Sequence, residues 1–210
     1  MNKLKSATMD LTKEISVWIL WYLPVFAVII VPLALFLNEP EITDSSFMEM
    51  IMTANRVFMF VAGILSVFLY FEWMFKMGIT RKMYFKVITL TMLFIVLILN
   101  VTSLAITYIF DVIPYDIFTG GMPSVSTVVS AVLVSYLGAM LGCVIGMGFY
   151  KSAKAGFLMI AAALIIVGCE ILIETFNMEG GIVHFSGFII ITALLIMLNY
   201  KLTRRIPVKL

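Results

Sequence analysis

Six long apolar runs, separated by short polar stretches, set the plan of this chain: Ile15–Leu37, Val57–Phe75, Val87–Phe110, Val125–Tyr150, Phe157–Ile173 and Ile182–Tyr200. A helix crossing a bilayer core needs roughly 17–25 mainly apolar residues, and each run meets that length. The runs are apolar all round, the pattern of helices buried in lipid or in the middle of a bundle. The expectation is therefore an all-α, polytopic integral membrane protein of six transmembrane helices. Pro24 falls inside the first run, where loss of one backbone bond predicts a kink. Ahead of that run, residues 1–14 are polar, and Leu11, Ile15 and Trp18 recur at helical spacing. They predict an interfacial lead-in helix.

Charge then orients the helices. The N-terminal segment, the stretch Lys76–Lys86, Lys151 with Lys154, and the segment after Tyr200 hold 13 of the 14 Lys and Arg residues. Arg56 is the exception. The intervening stretches carry Glu39, Glu41, Asp44, Asp111, Asp116, Glu174 and Glu179. Basic loops stay in the cytosol, so both termini are expected there.

Composition agrees. The chain is 63% hydrophobic and 12% charged, against about 45–50% and about 25% for soluble domains. Its 210 residues are expected to form a single membrane domain, and a net charge of +2 argues against nucleic acid as a partner. The first apolar run is longer than the roughly 7–15 residues of a signal peptide's core, and no A-x-A site follows, so cleavage is not expected. Cys143 and Cys169 lie in apolar runs about 9 Å apart in depth at about 1.5 Å per residue. That is beyond the roughly 7 Å a disulfide allows, and both read as packing residues.

Catalytic patterns are missing. His184 is the single histidine and has no partner motif for an intramembrane protease, so it reads as an interfacial side chain. GCVIGMGFYKS has the wrong spacing for a phosphate-binding loop. No metal-ligand pattern is present. Gly138, Gly142 and Gly146, continued by Ser135 and Ala131, put small residues on one face of the fourth run. That face suits close helix packing inside the chain, or alternatively a dimer or sliding surface. Ionisable groups in a bilayer are costly. Glu72 is four residues before Lys76 and is expected to pair with it. Arg56 lies about 30 Å up its helix from Lys76, and Glu174 about 27 Å up from Gly156, so these two are expected to pair, the alternative being that Arg56 snorkels outward. Glu170, lower down, would line a polar cavity, and Asn100 is expected to hydrogen-bond between helices. Thr102, Ser103 and Thr107 are expected to bond back to their own helix.

The stretch KMGITRKMYFK, Lys76–Lys86, carries four cations in eleven positions. An acidic residue closing the second helix, then G-x-[ST]-R-K-x-x-F-x-K leading into the third, resembles ABC-2 type transporter permeases. Here the pattern is Glu72, then Gly78, Thr80, Arg81, Lys82, Phe85 and Lys86. The resemblance covers the whole chain in topology, including the lead-in, while the motif itself is short.

That resemblance implies that Lys76–Lys86 forms a short cytosolic coupling helix seated on a separate ATPase. Arg and Lys would pair with acidic groups of the partner, and Met83, Tyr84 and Phe85 would serve as apolar anchors; the alternative is that these cations only bind anionic lipid and fix the topology. ATP and Mg²⁺ would be bound by that subunit, leaving this chain without a cofactor or an enzymatic activity of its own. Two permeases, identical or paralogous, would move an amphipathic peptide or lipid-like substrate outward. Small compact members of this family export peptides or lipids, and the exporters of amphipathic peptides are one such group. One departure is the outer loop after the fifth run, too short for a sizeable re-entrant helix. The alternative is the vitamin-binding membrane subunit of an energy-coupling importer. Its A-x-x-x-A docking motif is not matched by Ala27 and Ala34.

Overall fold

Leu137 to Gly148, in the middle of the helix Val125–Lys151, are buried without exception. A helix that hides every side is the axis of a bundle, and four of the five other described helices pack directly on it. The computed structural model describes residues 3–37, 47–112, 123–175 and 182–205. Side chains within these are described except at 30–37, 47–49, 53, 110–112, 165–175, 182–186 and 205. In order the helices are α1 Lys3–Leu37, α2 Phe47–Lys76, α3 Arg81–Val112, α4 Val125–Lys151, α5 Ala153–Thr175 and α6 Ile182–Arg205. All described regular structure is helical. Among the described residues five helices are long and apolar enough to cross a membrane; in α5 the stretch so described, Ala153–Leu164, is shorter.

α4 packs against α2, α3, α5 and α6, while α1 lies outside, against α3. The α2–α4 seam is the tightest. A methyl group on Gly142 would strike the Phe60 carbonyl, one on Gly138 would lie 3.0 Å from the Arg56 carbonyl oxygen, and one on Gly146 would lie 3.1 Å from that of Ile64. Gly63 returns the contact against the Ala139 backbone. Glycines four apart on α4 thus face carbonyls four apart on α2, and the register ascends in step because the two helices run parallel. Without a hydrophobic force between helices in lipid, such backbone approach supplies the packing energy. The glycine face is therefore an internal seam. Ala131 and Ser135 continue it and are buried.

α1 corrects one expectation. The lead-in and the first run are a single helix of 35 residues, unbroken at Pro24. Leu11, Ile15, Ile19 and Leu23 form its buried stripe, whereas Leu20 and Trp21 are over 70% exposed, at 72% and 71%. Leu11 belongs to the bundle core, so the lead-in does not lie apart on a surface. α4 and α5 meet with one residue between them. Ser152 N–H closes α4 on the Gly148 carbonyl at 3.0 Å, and the Ser152 carbonyl accepts from Gly156 N at 3.0 Å to open α5.

Candidate functional site

The basic stretch is a tight turn between two long helices, not the short separate helix expected from the resemblance. α2 ends at Lys76 and α3 begins at Arg81. Gly78 adopts φ 75°, and an added Cβ there would meet nothing within 4 Å. Backbone conformation, not space, calls for glycine. Gly78 N donates to the Phe75 carbonyl at 2.9 Å and Ile79 N to the Met74 carbonyl at 3.1 Å. This is the paired closure of a Schellman cap, with its hydrophobic contact supplied by buried Ile79 and Met74. Thr80 then starts α3. Its carbonyl accepts from Tyr84 N at 2.8 Å and its Oγ1 from Met83 N at 3.3 Å. The glycine and threonine of the motif are thus a helix stop and a helix start.

Beneath the turn lies an aromatic platform. Tyr84 is fully buried, edge-on to Phe71 with centroids 4.9 Å apart. Phe71 also meets Phe75 at 4.8 Å and Tyr150 at 4.8 Å. Pairs of this geometry add about 0.5–1.5 kcal/mol each beyond area burial. Tyr84 is therefore a foundation of the turn and not an anchor for a partner, which corrects that expectation. Tyr150 Oη donates to Glu72 Oε1 at 2.7 Å, so the carboxylate expected to pair with Lys76 is held instead by α4. Lys76, Gly78, Thr80, Lys82 and Lys86 are exposed, as is Met77; Arg81, Met83 and Phe85 are half-buried.

Arg81 is already engaged. Its Nη1 donates to the Arg204 carbonyl at 2.8 Å, satisfying an orphan acceptor in the last turn of α6. One turn further along α3, Phe85 packs on Tyr200 at 5.1 Å, and the Arg204 guanidinium lies 5.5 Å over the Tyr200 ring. The start of α3 and the end of α6 are clamped together, so the basic surface is built from two segments far apart in sequence. Comparison of the chain with protein-family models, curated proteins and solved structures finds no match.

The intramembrane polar residues sort differently from the expectation. Asn55, which the apolar pattern passed over, is fully buried and joins three helices. Tyr22 Oη of α1 donates to Asn55 Oδ1 at 3.1 Å, and Asn55 Nδ2 donates to Ser103 Oγ of α3 at 3.1 Å. An amide just ahead of an apolar run was its signal. Asn100 bonds within its own helix, Nδ2 to the Val96 carbonyl at 2.9 Å, correcting the interhelical expectation. Its Oδ1 is buried with no partner among the described residues. Thr102, Ser103 and Thr107 bond back to Ile98, Leu99 and Ser103 as expected.

Arg56 is half-buried on the α2–α4 seam, its Cγ 3.5 Å from where a Gly138 Cβ would be. The side chains of Glu170 and Glu174, and with them the Arg56–Glu174 pairing, lie outside the described residues, as do those of His184 and Cys169. Cys143 is buried and free. Among the described residues no group of three or more His, Cys, Asp or Glu could hold a metal.

An apolar hollow of about 570 Å³ opens between α1 and α3, bounded by Ile19, Leu23, Pro24, Ile98, Thr102 and Ile106. It offers almost nothing polar. A hydrocarbon segment suits it; a charged solute does not.

Proposed function

We propose that this chain is the membrane-spanning, non-catalytic permease subunit of an ATP-driven exporter, with a separate ATPase docking on the turn between α2 and α3. The observation that carries the reading is the construction of that turn. It is exposed and basic, yet capped at both helix ends and seated on buried rings, so a push on it moves α2 and α3 as bodies. α2 in turn is locked to α4 by backbone contact. Force applied at the basic end would reach the bundle axis without being absorbed by a soft loop.

That end, with both termini, would face the cytosol, a reading supported by the positive-inside pattern, and the membrane would be a bacterial cytoplasmic one. Substrate would be amphipathic or lipid-like, in keeping with the apolar hollow between α1 and α3. A second copy or a close paralogue would complete the transport unit.

The test is recovery of the full chain from native membranes in mild detergent. Arg81 is best left intact because it holds α6. Wild type should retain an ATPase in stoichiometric amount, and Lys76→Glu/Lys82→Glu should lose it while melting at the same temperature. A well-folded wild type that retains no ATPase would overturn the reading. Retention by the double variant would keep the class and move the contact off the turn.

A further inference from the structure

Where α3 and α6 are clamped, two adjoining hollows share Met197 and Tyr200. One, about 500 Å³, is bounded by Lys82, Phe85, Lys86 and Ile196 as well. The other, about 530 Å³, adds Lys201 and Arg204. Four cations from two helices therefore ring an aromatic and aliphatic floor, and no described carboxylate lines either hollow. Lys82 with Lys86 and Lys201 with Arg204 are spaced to project from one face of their helices. The Arg81 bond to the Arg204 carbonyl and the Phe85–Tyr200 ring contact hold the end of α6 beside the start of α3.

The floor does not stop at the charges. Met197, Leu194 and Ile190 rise along α6 at i, i−3 and i−7, exposed by 62%, 59% and 60%. They form one apolar strip leading from the hollows into the spanning part of the helix. A site with cations at its mouth, an aromatic hydroxyl beside them and a hydrocarbon strip behind matches one chemistry.

We propose that this seam binds an anionic phospholipid, its phosphate among Lys82, Lys86, Lys201 and Arg204 and one acyl chain along Met197, Leu194 and Ile190. The charge complements the headgroup, and the strip is what a free phosphate or an acidic soluble protein would leave uncovered. The inference does not depend on an ATPase. Of the seam's four cations only Lys82 is shared with the proposed dock, and the variant that tests the lipid site leaves Lys82 in place.

Native mass spectrometry of the full chain in dodecyl maltoside, titrated with phosphatidylglycerol or phosphatidylcholine, tests it. Wild type should retain phosphatidylglycerol preferentially. Lys86→Gln/Lys201→Gln, which spares Arg81 and Arg204, should weaken that retention roughly 30-fold, from the interfacial contribution of two cations. Lys3→Gln/Lys5→Gln removes the same charge from the exposed start of α1 and should change little. Equal retention of both lipids, or equal loss in the two double variants, would overturn the proposal and leave the cluster to an acidic protein face. Displacement of the lipid by millimolar inorganic phosphate would overturn the acyl-chain half of it. Unaltered melting of both variants shows that folding is not what is being read.

Discussion

Tyr150, in the last turn of α4, donates a 2.7 Å hydrogen bond to the Glu72 carboxylate, one turn before the end of α2. The bond crosses the α2–α4 seam under the basic turn, where Glu72 is half-buried. Tyr150→Phe should lower stability by about 1.5–3 kcal/mol, the range for hydrogen bonds to charged groups. Glu72→Gln should lose less, since its amide oxygen still accepts. Reversible unfolding in mixed micelles measures both. Glu72→Leu combined with Tyr150→Phe should be little worse than either alone; additive losses would show that the two residues do not act as a pair.

Two glycines should fail for different reasons. Gly142→Ala drives a methyl into the Phe60 carbonyl, which can retreat only with its helix. The cost should reach the upper part of the roughly 1–3 kcal/mol typical of overpacking. Gly78→Ala meets no atom but forces a left-handed residue, at about 1–2 kcal/mol. Gly78→Asn should recover part of that loss, because asparagine tolerates this conformation, whereas no side chain should rescue position 142. Melting temperatures of the four proteins decide the matter, and a Gly142→Ala protein as stable as wild type would mean the seam is looser than described.

The Tyr22–Asn55–Ser103 relay should behave as a unit. Asn55→Leu removes both bonds and is expected to cost about 1–2 kcal/mol, near the upper range for interhelical hydrogen bonds in bilayers. Tyr22→Phe and Ser103→Ala should each cost about 0.6 kcal/mol, the average for a single such bond. If Tyr22→Phe destabilises equally in wild type and in Asn55→Leu, the hydroxyl contributes nothing through Asn55.

Much of the local structure was legible. Gly78 and Thr80 stop one helix and start the next through bonds reaching no further than Met74 and Tyr84, so a short window of sequence contains the cause. The small face at Gly138, Gly142 and Gly146 was legible as packing, though its partner was not. Carbonyls of Arg56, Phe60 and Ile64 leave no mark in side-chain chemistry. Leu11 and Ile15 misled for a related reason. Their spacing fits a helix resting on a membrane surface as well as one facing a bundle, and only the neighbour distinguishes the two.

The chain alone determined that it would be all-helical and built of long apolar segments. In hydrocarbon each backbone polar group must be satisfied within its own segment, so length and apolarity suffice to specify a helix. Which side of each helix meets protein was decided only by the tertiary structure, because lipid and protein interior favour the same side chains. That is why Tyr84 became a foundation, Glu72 turned to Tyr150, and Arg81 was spent on a carbonyl 123 residues away. Polar groups in such a bundle take whatever partner the packing brings near, and packing between helices is not written in the spacing along any one of them.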